Sequence, residues 1–243
     1  MNFTQTTIDE VADGIYRIST SVQGDLVPGG FSFNQYLIED DEPLLFHTGL
    51  RQLFPSVRDA IAGVMPVERL RHVAYSHLEA DECGALNEFL AAAPRAQPVC
   101  SAIGAMTSAN DLAIRPARAL ADGERLRLGR HEVVWFDAPH VPHGWDCGFL
   151  SETSTGTLLC GDLFTQPGWQ NPALTESDIF GPSEAMRKAM DYYSHAPSTR
   201  IILEKLAGVE PRTLACMHGS AWRGDGAKLL RALADALEGR VVA

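Results

Sequence analysis

Between Ser76 and Glu82 the chain gathers one imidazole and three carboxylates into the run Ser76-His77-Leu78-Glu79-Ala80-Asp81-Glu82. Donors at that density point to a metal site. Residues two apart face opposite sides of a helix but the same side of an extended segment, so His77, Glu79 and Asp81 converge only off a helix. The plainer reading of the run is a solvated acidic loop with Asp81 as a helix cap. Donors elsewhere in the chain must decide between the two.

The elements around the run set its geometry. Leu70 to Tyr75 reads as a short buried strand, and from Gly84 the apolar spacing of Leu86, Phe89 and Leu90 becomes helical. The run is then a strand-to-helix loop, a usual place for functional groups on a rigid scaffold. In the first half, Gly14 to Ser19, Asn34 to Glu39 and Pro43 to Phe46 read as strands, and Pro55 to Met65 as an amphipathic helix. In the second half the turn Asp122-Gly123-Glu124 leads into a hairpin of Arg125 to Leu128 and His131 to Phe136. A second hairpin pairs Cys147 to Ser151 with Thr157 to Cys160. Helices over Pro182 to Tyr193 and Arg200 to Gly208, a strand over Thr213 to Met217 and a helix over Gly226 to Glu238 follow. Two β-rich halves flanked by helices imply sheet packed on sheet with helices outside.

Further donors stand at the ends of these strands: His140 and His143, then Asp162, then His218. A single such histidine is more often a hydrogen-bonded structural residue than a ligand. Together, three imidazoles and three carboxylates at strand ends are the ligand set for two metal ions sharing one carboxylate, with Asp162 the natural bridge.

Composition narrows the class. The 243 residues, 45% hydrophobic, suffice for one domain over residues 1–243. No apolar run reaches the roughly 20 residues of a bilayer-spanning helix, and Met1 to Glu10 lacks a signal-peptide pattern. No membrane association is expected. Five cysteines without a C-x-x-C pair argue against a disulfide framework and fit a reducing, cytoplasmic setting. A net charge of −11 without a Lys/Arg cluster makes nucleic acid an improbable partner.

The order of these motifs resembles the metallo-β-lactamase superfamily, with its His-x-His-x-Asp-His loop, a later His, a bridging Asp and a terminal His. Asp122-Gly123-Glu124, Ala138-Pro139, Gly161-Asp162-Leu163-Phe164 and His218-Gly219 are similar to that superfamily's punctuation. Glu79 in place of the second histidine resembles its flavodiiron branch, as does Asn34-Gln35-Tyr36-Leu37-Ile38. The resemblance covers nearly the whole chain. It implies an α/β fold, the αββα metallo-β-lactamase-like four-layer sandwich of two mixed β-sheets flanked by helices.

Carried over by residue, the resemblance implies that His77 and Glu79 bind one iron, Asp81 and His218 the other, and that Asp162 bridges. His143 is preferred over His140 as the third histidine, because its interval to Asp162 fits the branch better. His140 is then expected beside the ligands or in the pocket. Two residues depart from the pattern. Glu82 stands where the loop ends in a histidine, and three roles are open to it: coordinating the second metal, orienting Asp81 or His218, or starting the helix. His47 stands where the superfamily usually has an aspartate that supports nearby ligands.

Carboxylate-rich donors mixed with imidazole suit iron or manganese better than hydrolytic zinc, so two iron ions are expected, with zinc or manganese as alternatives. Cys83 and Cys216, next to ligand positions, read as small buried apolar residues. No glycine-rich or Ser/Thr-rich phosphate loop points to flavin, and none is expected on this chain. The resemblance implies a protein that binds or reduces a small diatomic gas, O2 or NO, as a sensor or as an oxidoreductase fed by an external reductase. Branch members often form a homodimer in which a partner chain approaches the metals. The alternative is a binuclear hydrolase of an ester, thioester or lactone. Trp145, Phe164, Trp169 and Trp222 lie near ligands in sequence and could wall a dry pocket, although ordinary packing suits each singly.

Overall fold

Alternation with a period of two, apolar on both faces, builds the centre of this molecule. The computed structural model describes residues 2–23 and 29–239; the ends of the expected 1–243 domain, Met1 and 240–243, lie outside the described residues. Strands β1 (Asn2–Phe3), β2 (Thr7–Ala12), β3 (Ile15–Gln23), β4 (Phe31–Ile38), β5 (Leu44–Phe46), β6 (His72–Ala74), β7 (Gln97–Ser101) and β8 (Arg118–Leu120) form one sheet. It is antiparallel as far as β5 and parallel from β5 to β8. The second sheet holds β9 (Arg125–Arg127), β10 (Glu132–Asp137), β11 (Gly148–Glu152), β12 (Thr157–Leu159), β13 (Leu174–Thr175), β14 (Thr213–Ala215) and β15 (Ala221–Arg223). Its order is β13-β15-β14-β12-β11-β10-β9, with β12 and β14 parallel.

Three apolar cores give four layers. Leu37, Leu45 and Val73 face outward to helices Phe54–Ala62 and Leu86–Ala92 through Val57, Ile61, Phe89 and Leu90. Their chain neighbours Tyr36, Ile38, Leu44, Phe46 and Ala74 face inward, where they meet Val133, Trp135, Leu150, Leu159 and Ala215 of the second sheet. Phe149, Leu158 and Leu214 face the far side, against Leu203, Leu206, Leu230 and Leu233 of helices Thr199–Ala207 and Gly226–Leu237. The sandwich is thus helix, sheet, sheet, helix, as the sequence resemblance implied. Sheets buried on both faces favour near-continuous apolar strands, as in β5 and β12, while β3 and β4 also bury Arg17, Asn34 and Gln35. Gly148 is required by a close approach: a Cβ there would come within 2.1 Å of the Trp135 ring.

The expected elements are present with ends shifted by a few residues. β1, β2, β7, β8, β13 and β15 are additions to the expected strands; β7 contains Pro98, and β1, β13 and β15 are too short to carry a pattern. A one-turn helix over Ala80–Cys83 precedes the expected helix, which runs Leu86–Ala92. Asp81 therefore sits in a first helical turn and not on the extended segment shared by His77 and Glu79. Among the described residues no helix is long and apolar enough to cross a membrane.

Candidate metal centre

One edge of the sandwich receives every loop that carries a donor. β6 delivers His77 and Glu79; the parallel pair β12 and β14, in register at Leu159 and Ala215, delivers Asp162 and His218 three residues beyond each partner. β10, separated from β12 by one antiparallel strand, ends at the same edge and launches the loop with His143. Short bonds tie the loops together: Leu78 N–H donates to Asp146 Oδ2 at 2.9 Å, and Gly148 N–H to Ser76 O at 2.9 Å.

Two donor clusters result. His77, Glu79, His143 and Asp162 form the first; Asp81, Glu82 and His218 form the second, the donor atoms of each lying within 4.8 Å of one another. Glu79 Oε2 is 3.1 Å from His77 Nε2 and 3.0 Å from His143 Nε2. Asp162 joins the clusters: its Oδ2 is 3.6 Å from His77 Nε2 and 3.5 Å from His143 Nε2, while its Oδ1 is 3.4 Å from His218 Nε2. Asp81 Oδ2 is 3.5 Å from His218 Nε2. The structure therefore brings together all six expected donors. It places His143 in the cluster, whereas His140 is exposed and belongs to neither donor group.

Hydrogen bonds behind the rings fix which nitrogen faces inward. A carbonyl only accepts, so His143 Nδ1–H donates to Tyr192 O (3.0 Å) and His218 Nδ1–H to Ser32 O (2.7 Å), leaving each neutral ring with its Nε2 lone pair toward the cluster. His77 reaches the same result through a relay. His47 is buried, and burial depresses it to about 3, so it is neutral. Its Nδ1 lies 3.0 Å from the Met217 sulfur, an acceptor, and so carries the proton. His47 Nε2 then accepts from the Ser76 hydroxyl (3.0 Å), and Ser76 Oγ accepts from His77 Nδ1–H (2.9 Å). His77 Nε2 is left free for a ligand role. His47 supplies, through Ser76, the support that an aspartate usually gives.

The backbone under the ligands is equally tied. Asn34 Nδ2 donates to Cys216 O (2.9 Å) and Gly219 O (2.8 Å), Tyr36 Oη to Cys216 O (2.8 Å), and Arg17 to Gly219 O (2.7 Å). The Asn34-Gln35-Tyr36 motif thus holds the loop of His218. Thr48 N–H donates to Glu82 O at 2.7 Å, anchoring the acidic run.

Electrostatics follow the same geometry. Hydrogen bonds from His143 and His77 hold Glu79 at about 2 against the cost of burial. Burial disfavours the charge of Asp162, but His218, His77 and His143 outweigh it and keep the carboxyl well below its usual range. Burial also opposes charging His143 and His218, yet their carboxylate neighbours raise both. Glu82 goes the other way, pushed well above its usual value by burial, Asp162 and Asp81. Acceptor oxygens without donors, Asp162 Oδ1 among them, with inward-facing imidazole nitrogens are the donor chemistry of a divalent cation pair. Cys216 is fully buried, and burial pushes the partly buried Cys83 thiol up to about 12, which fits packing roles.

A cavity of about 160 Å³ opens over the clusters. Its walls are Phe31, Thr165, Met186, Met190 and Tyr192, none anticipated from the sequence. Phe31 stacks on His218 with ring centroids 4.1 Å apart, and Tyr192 Oη donates to Asp162 O at 3.2 Å. Of the four aromatics expected here, Trp145 is exposed, Phe164 belongs to the core between second sheet and helices, Trp222 packs against that core, and Trp169 is only partly buried. Phe31 sits beside a recognisable motif; Tyr192 lies after a helix, with no sequence signal of its own.

Comparison with known proteins follows this geometry. The model of the ODP family beta lactamases matches residues 31–219. The rubredoxin-oxygen oxidoreductase of Megalodesulfovibrio gigas is 30% identical over 213 residues, 82% of this chain and 51% of that protein. The nitric oxide reductase of Moorella thermoacetica is 24% identical over 220 residues, 87% of this chain and 54% of that protein. The chain spans about half the length of these curated relatives. Among solved structures, a flavo di-iron protein variant from Thermotoga maritima superposes with a TM-score of 0.85 at 18% identity, covering 96% of this chain and 62% of that one. A fragment of diflavin flavoprotein A 5 from Nostoc sp. gives 0.84 at 19%, covering 97% and 96%. The chain belongs to the ODP family beta lactamases, and its fold is the metallo-β-lactamase-like core found in flavodiiron proteins.

Proposed function

We propose that this chain is a non-haem di-iron protein that binds or reduces O2 or NO, with electrons from an external reductase. His77, Glu79 and His143 would hold one iron, Asp81 and His218 the other, and Asp162 would bridge them. The observation that carries this reading is the position of Glu79, whose carboxylate lies within 3.1 Å of both His77 and His143 Nε2. A hard oxygen donor thereby stands where the hydrolases of this fold carry an imidazole, which moves the preference from zinc toward iron. The names of the relatives, an oxygen oxidoreductase and a nitric oxide reductase, favour redox chemistry over the hydrolase alternative.

When bound, two ferrous ions would supply the electrons that a diatomic gas accepts. The protein's part is to position and to enclose. The carbonyls of Tyr192 and Ser32, and the Ser76 hydroxyl, hold three imidazoles in one tautomer. Phe31, Met186 and Met190 line an apolar mouth, and about 160 Å³ suits a small molecule, given water's share of roughly 30 Å³. Free, unpaired thiols accord with the cytoplasmic setting.

Anaerobic loading with ferrous iron followed by O2 or NO tests the reading. Two irons per chain and a visible charge-transfer band are expected on gas addition. No iron uptake, or metal-dependent ester hydrolysis by the zinc-loaded protein without any gas reaction by the iron-loaded one, would refute it.

A further inference from the structure

Glu82 is 1% exposed, and neither of its carboxylate oxygens makes a hydrogen bond. Among the described residues no lysine or arginine pairs with it. A carboxylate taken out of water without a donor or a counter-charge is costly, and a cation arriving beside it relieves that cost. Its surroundings say what kind of partner. Its donor oxygens group with Asp81 and with His218 Nε2, and Asp162 Oδ1, likewise buried without a hydrogen bond, is 3.4 Å from that same nitrogen. Three carboxyl groups and one imidazole Nε2 face the point between them, and each can present a lone pair to a cation. The backbone holds Glu82 there from behind, since its carbonyl accepts from Thr48 N–H and, at 3.3 Å, from the Thr48 hydroxyl.

We infer that Glu82 is a metal ligand, completing the second site beside Asp81, His218 and the shared Asp162. This inference rests on the two-metal reading above and adds a residue to it. Each ion then has four protein ligands. The first site offers two nitrogens and two oxygens, the second one nitrogen and three oxygens. The difference makes the second site the harder one, where the advantage of Zn(II) over Fe(II) or Mn(II) is smaller than at the first. Glu79, Asp81, Glu82 and Asp162 together carry four negative charges, which balance two divalent ions. The charge balance favours holding both ions in a buried pocket and, on oxidation, favours the ferric state.

The test uses the full chain, stripped of metal, as wild type and as the Glu82→Gln and Glu82→His variants. Each is titrated anaerobically with Fe(II) and separately with Mn(II), bound ions are counted after dialysis, and the metal-free melting temperature is recorded. Wild type is expected to take two ions. Glu82→Gln should keep the first binding step within about threefold and weaken the second by more than about 100-fold, beyond the 10–100-fold that losing a group behind a ligand costs. Its metal-free form should melt no lower than wild type, because the replacement removes no hydrogen bond and its amide brings donors to a site of acceptors. Glu82→His should still bind two ions but accept Zn(II) at the second site more readily than wild type. Two ions bound by Glu82→Gln with wild-type affinity, or a metal-free Glu82→Gln that melts well below wild type, would show a structural residue and overturn the assignment. Wild-type protein that takes fewer than two ions would instead overturn the two-metal reading itself.

Discussion

His47 Nε2 lies 3.0 Å from Ser76 Oγ, and this contact sets the tautomer of His77 on the other side of the serine. The direction of the relay follows from Met217, whose sulfur accepts, and from the neutrality of buried His47. A histidine thereby supports a ligand where a charged aspartate is usual, with no added negative charge near a site already rich in carboxylates.

Ser76→Ala breaks that relay. It leaves two buried ring nitrogens without a partner, at a cost of about 1–3 kcal/mol, and frees His77 to take either tautomer. Iron affinity at the first site should fall about 10–100-fold with the fold retained. Calorimetric metal titration and circular dichroism check both parts.

Asn34→Ala removes two bonds to the carbonyls of Cys216 and Gly219. Tyr36 and Arg17 still reach those carbonyls, so the loss should be limited to about 1–3 kcal/mol in urea unfolding. Because the loop carries His218, metal affinity should fall more than stability does.

Metal uptake should release protons. His143 and His218 are raised above the ordinary histidine value by facing carboxylates, and both must lose the Nε2 proton to bind an ion. Affinity is therefore expected to climb as the pH rises through the raised histidine values and to level off above them. Titration calorimetry in buffers of different ionisation enthalpy measures the protons released.

Far from the metals, Glu152 is fully buried beside His131, with Nδ1 to Oε1 at 3.1 Å. Burial works against its charge, but Ser154 and Thr155 donate from side chains and backbone and hold it at about 2, against 4.5 unperturbed. A depressed carboxylate stabilises the fold above its unfolded value, and that contribution is lost as the pH falls from about 4.5 toward 2. Glu152→Gln should cost about 1–3 kcal/mol at neutral pH, and its stability curve should converge on wild type near pH 2. Urea midpoints across that range provide the check.

The sequence by itself determined much of this molecule. Strands that are apolar on both faces, interrupted at turns by donors, specified two central sheets, and residue type alone nominated His77, Glu79, Asp81, Asp162 and His218. These are local properties, written in period and chemistry. What tertiary structure decided is non-local. The parallel pairing of β12 with β14 puts Asp162 and His218 at one level, and a hairpin direction brings His143 inward while His140 stays exposed. A separate one-turn helix over Ala80–Cys83 turns Asp81 and Glu82 away from Glu79 toward the second cluster. Whether Glu82 only starts a helix or is a buried donor depends on what packs over it, and so does the choice of Phe31 and Tyr192 over four tryptophan and phenylalanine candidates. Spacing along a chain fixes which side of an element a residue faces, but only the order of strands and the cover of neighbouring loops fix what it meets there.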